Sequence, residues 1–294
     1  MRILHIDTGR EMRGGQWQVL QLVRGLQQRG VECRLLARGP LLEAARAAGL
    51  NAQGVSFFRM LREASTFDLV HAHDARAHTL ATVCGKPLIV SRRVAFPIDQ
   101  GIASRWKYGR VTRFLAISHA VERELVQAGV PATKIAVVYD GVSIPVSVIP
   151  YDERPLACIA PATSDPMKGS DLVTASGIEL QFSTNLADDL TRTKVLVYLS
   201  RQEGLGSAAL LAAANATPVV ASRIGGLVEA VEHEKTGLLV ENDPAAVAAA
   251  VRRLQADPNW AAQLGLQGRE RVKERFSVDH MVDNTLKAYG DVLR

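Results

Sequence analysis

The run SRQEGLGSAALLAAANATPVVASRIGGLVEA, residues 200 to 230, constrains the fold more than any other part of the sequence. A short apolar run, KVLVYLS, leads into it. The order of apolar run, Gly-bearing loop, Ala-rich helix, apolar PVVAS run and IGG loop spells a βαβ unit. Its loops emerge at the carboxyl ends of parallel strands, where open α/β sheets bind ligands. Gly204 and Gly206 let a ligand approach backbone N–H groups, and Ser207 is placed to cap the helix behind them. The partial positive charge of that helix start suits a phosphate.

The same alternation runs through the rest of the chain. RILHID reads as a first strand, followed by a loop carrying Arg13, Gly14 and Gly15. A helix from about Gln16 to Arg29 has Val19, Leu22, Val23 and Leu26 on one face. ECRLLA, NAQGVSF, LVHAHD, PLIVSR, RFLAIS and IAVVYD follow as strands, with PLLEAARAAG as a helix among them. Strands that alternate with helices imply a parallel sheet covered on both faces, joined by right-handed crossovers. Prolines punctuate residues 143 to 155, which marks a linker, and a second nucleotide-fold unit opens at LACIAPA. The domains expected are therefore 1–148 and 155–276, with a last helix over 277–294. No GxGxxG follows RILHID, which argues against a nicotinamide-binding unit.

A chain of 294 residues, 47% apolar, can bury a sizeable core, and its length favours two domains. No apolar run approaches the roughly 20 residues that span a bilayer, and MRILHIDT has neither the charged start nor the cleavage site of a signal peptide. A cytoplasmic protein is expected. Cys33, Cys84 and Cys158 have no metal or disulfide spacing and read as plain buried thiols. Charge is uneven, with 20 Lys/Arg against 11 Asp/Glu in residues 1–145 and 15 against 19 beyond. Residues 92–113 hold six Lys/Arg and one acid, Asp99, interleaved with Phe96, Ile98, Ile102, Trp106 and Tyr108. That pattern fits either a solvated helix face or contact with an anionic membrane surface or acidic acceptor. No nucleic-acid recognition motif accompanies it, so a nucleic-acid partner is not expected.

The Glu, Gly-x-Gly, helix, PVVA strand and Gly-Gly-x-x-Glu turn together resemble the donor-site signature of retaining GT-B glycosyltransferases, glycosyltransferase family four (glycosyl transferases group 1) in particular. Six further landmarks agree in order: GGQW, DLVHAHD, FLAISHAVERELVQAG, IAVVYDGV, MKGSDL and KTGLLV. The resemblance covers nearly the whole chain. It implies two Rossmann-like domains facing across a cleft, an acceptor domain first and a nucleotide-sugar donor domain second. The last helix would cross back to the first domain. Lys168 and Ser200 are 32 positions apart, enough for one helix, the strand IELQFS, the helix NLADDLTRTK and the strand VLVYLS. The family normally carries roughly 30 residues more there, about one βα repeat, so the donor domain reads as shortened.

The resemblance also implies the chemistry. The family uses the Lys that matches Lys168 to neutralise the donor diphosphate. Gly225 and Gly226 would offer backbone N–H groups to it, and Gly14 and Gly15 would close over it. Gly204, Leu205, Gly206, Ser207 and Glu229 complete the expected donor site. Glu203 matches the first Glu of the family's E-x7-E motif and would balance oxocarbenium-like charge. Where the second Glu grips the donor ribose, this chain has Leu211. Where an Arg commonly partners the Lys, it has Thr163. In the first domain, His73 beside Asp74 could position an acceptor hydroxyl, though taken alone the residue reads better as a structural histidine. Arg92 and Arg93 stand where the family often has a His; a guanidinium cannot act as a base but could bind a phosphate or an anionic acceptor, with Asp74 beside them.

The expected activity is retaining transfer of a sugar from a nucleotide-sugar to a cell-envelope or lipid-linked glycan, at the inner face of the membrane, with no metal or other cofactor. Leu211, Thr163 and the shortened domain keep a second reading open, a degenerate relative that binds a nucleotide, a glycan or a partner protein. A nucleotide-sugar epimerase of the same shape is a third.

Overall fold

Among the described residues, β-branched and aliphatic runs bounded by glycine and polar loops form twelve strands in two parallel sheets. The computed structural model describes residues 1–99 and 101–294. They divide into two units, Met1–Asp140 with Val278–Arg294, and Gly141–Ser277.

The first unit holds β1 (Arg2–Ile6), β2 (Glu32–Ala37), β3 (Ala52–Gly54), β4 (Leu69–Ala72), β5 (Leu88–Arg92), β6 (Arg113–Ala116) and β7 (Ile135–Val137). Their order is β3-β2-β1-β4-β5-β6-β7. The chain winds outward from β1 in one direction and then returns to add β4 on its other side. The order reverses between β1 and β4, the place where such sheets open a crevice at the strands' carboxyl ends. In register, His5 lies opposite His71 across this seam.

The first helix begins at Gly14, two residues earlier than its apolar period predicts, so Gly14 and Gly15 form its first turn instead of a loop. Gln16 makes this possible by accepting a bond from the Arg13 N–H at 3.3 Å. Burial of Val19, Leu22, Val23 and Leu26 outweighs the modest helix cost of the glycines. The final helix, Val278–Leu293, packs on this one. Met281, Val282, Ala288 and Tyr289 join its core, and Arg29 forks to Asp279 and Asp283 at 2.8 Å each.

The second unit holds β8 (Leu156–Pro161), β9 (Gln181–Ser183), β10 (Thr193–Tyr198), β11 (Val219–Ser222) and β12 (Gly237–Val240), ordered β12-β11-β10-β8-β9. The predicted helix NLADDLTRTK shrinks to Leu186–Asp189 and a 3-10 turn, Leu190–Arg192. The Thr193 hydroxyl bonds back to the Asp189 carbonyl at 2.6 Å, and β10 starts there. Arg154, buried and with no carboxylate partner, donates to the carbonyls of Ile149, Thr193, Asn215 and Ala216 and to the Thr217 hydroxyl. One side chain thereby satisfies backbone groups from several segments that the sheet leaves unpaired. Cys33 and Cys158 are buried and Cys84 half-buried, all free thiols. Burial pushes them up to about 12, 12 and 11 respectively.

Candidate functional site

In the second unit, two loops at the carboxyl ends of β8 and β10 are sewn together. Arg201, just beyond β10, grips Asp171 with both guanidinium nitrogens at 2.9 and 2.6 Å and donates to the Pro166 carbonyl at 2.7 Å. Its N–H and the Ser200 hydroxyl both donate to the Met167 carbonyl. Gly169, at φ +62°, presses so closely on Leu199 that a Cβ would lie 2.9 Å from its side chain. These ties carry Lys168 to Glu203, 35 positions away: Lys168 Nζ donates to Glu203 Oε2 at 2.6 Å. The Tyr198 hydroxyl donates to the same oxygen at 2.6 Å, and the Gly204 N–H reaches Oε1 at 3.2 Å. Lys168 is about one-third exposed and Glu203 mostly covered. The result is a cation and an anion locked together at the strand ends, with the ammonium partly open to a ligand.

The glycines around this pair serve packing more than donation. A Cβ on Gly225 would sit 2.3 Å from the Glu203 carbonyl oxygen, and one on Gly226 2.0 Å from that of Gly204. Backbone therefore lies directly on backbone, which only glycine allows. The expectation that Gly226 offers its N–H to a diphosphate is corrected here, because that N–H is already bonded to the Glu203 carbonyl at 3.1 Å. Ser207 does not cap its helix either. Gly206, at φ +99°, occupies the cap position, Ser207 is the first helical residue, and no side chain caps Ser207–Ala214. The first N–H groups of a helix have no partner within it, so this end keeps its capacity for an anion. Leu205 is buried behind the loop, Leu211 is half-buried on the helix, and Glu229 lies on the short helix Leu227–Ala230. Thr163 accepts from the Asp165 N–H in the turn before Lys168. Sequence reasoning missed Tyr198 and Arg201. The only available signal was a polar ring and a guanidinium flanking an otherwise apolar strand end.

In the first unit the β1 and β4 ends bring His5, His71 and His73 together, all buried. His73 Nε2 lies 3.0 Å from His5 Nδ1, and Arg93 Nη1 lies 3.4 Å from His73 Nδ1. A guanidinium only donates, so His73 carries its proton on Nε2 and passes it toward His5 Nδ1. The His5 proton then sits on Nε2, a buried atom without a partner. His71 bonds Tyr289 at 2.6 Å and Ser91 at 2.8 Å. Burial pushes His5 down to about 3 and holds His71 and His73 well below the usual histidine range, with the Arg93 charge adding to the effect for His71 and His73. The three imidazoles offer ligand atoms within 4.8 Å of one another. Five of their six ring nitrogens are taken up by these hydrogen bonds, His5 Nε2 being the exception, and the nearby guanidinium repels a cation.

His73 and Asp74 do not act together. Successive residues at an extended strand end point opposite ways, and Asp74 turns to Thr8 at 2.5 and 2.8 Å and caps the helix Ala75–Ala81. Both His73 ring nitrogens are engaged, so neither is positioned as a base for an acceptor hydroxyl. Arg92 is absorbed by the Tyr108 hydroxyl at 3.0 Å and the Phe96 carbonyl at 2.7 Å. Arg93 is buried against Asp140 at 3.2 Å and lies beside Gly15, whereas Gly14 faces open space. Arg93 thus spends its charge on Asp140, whereas Arg92 meets only neutral acceptors and keeps its charge.

Residues 12–144 match the family described as Glycosyltransferase Family 4, and residues 168–257 the family described as Glycosyl transferases group 1. Among solved structures, the chain resembles Anabaena HepE in complex with UDP and glucose, at a TM-score of 0.86, 16% identity and 99% coverage of both chains. It also resembles the sucrose-phosphate synthase of Thermosynechococcus elongatus, at a TM-score of 0.76, 20% identity and 99% coverage of both. Two parallel Rossmann-like sheets and the likeness to these structures define the GT-B fold. More particularly, the front of the chain matches the Family 4 model and the rear the group 1 model, each over less than half of the chain. One relative is the alpha-maltose-1-phosphate synthase of Mycolicibacterium smegmatis, 44% identical over 110 residues, which are 35% of this chain and 28% of the relative. Another is the D-inositol 3-phosphate glycosyltransferase of Acidothermus cellulolyticus, 42% identical over 100 residues, 34% of this chain and 22% of the relative. The chain thus covers less than a third of the length of either relative.

Proposed function

We propose that the chain is a retaining glycosyltransferase that moves a sugar from a nucleotide-sugar donor to a cell-envelope or lipid-linked glycan, using a shortened donor domain. The Lys168–Glu203 pair, beside a helix start with no side-chain cap, is the observation that carries this reading. Lys168 would neutralise the leaving diphosphate while Glu203 balances positive charge growing at the anomeric carbon. In retaining transfer of this type the leaving phosphate takes the acceptor proton on the face it departs from, so the engaged state of His73 is no obstacle. That a structural neighbour binds UDP and glucose supports a nucleotide-sugar donor. The five-stranded second sheet, against seven in the first, supports the shortened domain.

An acceptor at an anionic membrane face is supported by the helix Ile102–Gly109, which buries none of its residues. Ile102 is 89% exposed, Trp106 55% and Phe96 48%, with Arg105 and Arg110 among them. No helix of the described residues is long and apolar enough to cross a membrane. Location at the cytoplasmic face is part of the proposal, as is a reaction that needs no metal.

The test is nucleotide release from UDP- and GDP-sugars with and without acceptor. Wild type should release nucleotide slowly without acceptor, and Glu203→Ala should abolish release while leaving the fold intact. Release from no common donor would favour the second reading, a binding protein of this fold, to which Leu211 and Thr163 point.

A further inference from the structure

Tyr198 ends β10 behind Val195, Leu196 and Val197, all buried. A Phe would pack equally well in such a run, yet this ring carries a hydroxyl at the buried end of the proposed donor site. The direction of each hydrogen bond there follows from the chemistry of its partners. An ammonium only donates and an ionised carboxylate only accepts. Lys168 Nζ therefore donates both to Glu203 Oε2 at 2.6 Å and to the Tyr198 oxygen at 3.3 Å, and the phenol passes its own proton to the same Oε2 at 2.6 Å.

The three groups close a ring in which each touches the other two. Lys168 Nζ also stands over the Tyr198 ring, 5.7 Å from its centre, within cation–π range. The ring lies 3.7 Å from where a Cβ on Gly206 would stand, so it backs the Gly-x-Gly turn as well. Burial, and after it the charge of Glu203, hold the phenol well above its usual range, so its proton stays in place as a donor. Two of the three ammonium protons are then turned inward, and the third is left for a ligand oxygen.

We infer that Tyr198 is a positioning residue of this site, its hydroxyl fixing Glu203 Oε2 and Lys168 Nζ against each other. The inference rests on the donor-site reading above. Without the hydroxyl, Lys168 and Glu203 still attract, but nothing sets the direction from which the ammonium approaches. Ground-state binding of the donor, shared among many contacts, should suffer less than a transition state that needs both charges aimed at the breaking bond.

The test is Tyr198→Phe, which keeps the packing. Its kcat for nucleotide release should fall about tenfold while KM for the donor stays within about twofold and Tm stays near wild type. A purely structural hydroxyl would lower Tm and leave kcat per folded molecule unchanged, and that outcome would overturn the inference. A second readout is independent of turnover: the rate at which N-hydroxysuccinimidyl acetate acetylates Lys168, followed by peptide mass spectrometry. It should rise severalfold in Tyr198→Phe, because the ammonium loses a restraint. Equal labelling rates refute the positioning role even if wild type proves inactive, whereas inactivity of wild type with faster labelling in the variant counts against the donor reading alone.

Discussion

Replacing Gly226 by Ala should disable the candidate site from behind. The new Cβ would lie 2.0 Å from the Gly204 carbonyl oxygen and 2.6 Å from Leu205 Cα. Carbon atoms pack best at about 3.5–4.0 Å, so the two loops must part by more than about 1 Å. Both obstacles are backbone, and no side-chain rotation relieves them. Overpacking of this kind costs about 1–3 kcal/mol. Loss of the Gly226 N–H bond to the Glu203 carbonyl adds about 1 kcal/mol. A total of about 2–4 kcal/mol corresponds to a Tm drop of about 5–15 °C. The displaced loop carries Glu203 with it, and a 1 Å misplacement costs about 100-fold in rate.

Thermal unfolding and nucleotide release measure the two effects. Gly14→Ala is the control. Nothing lies within 4 Å of a Cβ there, and the residue opens a helix, so the change should be neutral or stabilising by up to about 1 kcal/mol. Wild-type Tm and release in Gly226→Ala, or an equal loss of Tm in Gly14→Ala, would refute the packing role assigned to the glycine pair.

Arg154→Met should leave several buried acceptors unpaired and destabilise the second unit by about 3–5 kcal/mol, seen as an earlier urea transition; an unchanged midpoint would mean that water replaces the guanidinium without loss. Acid should weaken the first unit. His5 and His78, pushed down to about 3, with His71 and His73 also held low, stay neutral when folded but protonate near 6.5 when unfolded. The unfolded state therefore binds more protons between about pH 6.5 and 3, and stability should fall as pH drops through that window by at least about 1.4 kcal/mol per unit, one proton's worth. Asp7 and Asp140, raised by burial, oppose this only near the carboxylate range. Urea melts at pH 7, 6 and 5 that coincide would show the cluster to be hydrated. Leu211→Glu should tighten UDP about two- to tenfold in calorimetry, the worth of about one hydrogen-bonded ribose contact; no gain would remove Leu211 from the donor site.

The alternation of strands and helices and the identities of Lys168, Glu203 and the glycine pair were legible in the amino-acid order, because they rest on local period and on turn chemistry. The same local logic failed where two local preferences competed, as at Gly14 and Gly15, where burial of the helix face overrode glycine's loop tendency. It also failed at NLADDLTRTK, where a threonine hydroxyl ended the helix early.

What each chemical group touches was settled only by tertiary structure. Tyr198 meets Lys168 because Arg201 and Ser200 tie the loop after β10 to the turn before Gly169. His5 joins His71 because β1 and β4, 66 residues apart in the chain, pair in one particular register. Tyr289 reaches His71 because the final helix packs on the first. Residue spacing reports the direction of a side chain along its own element. Which element lies opposite, and at what register, depends on how two sheets close their cores, and no local pattern carries that information.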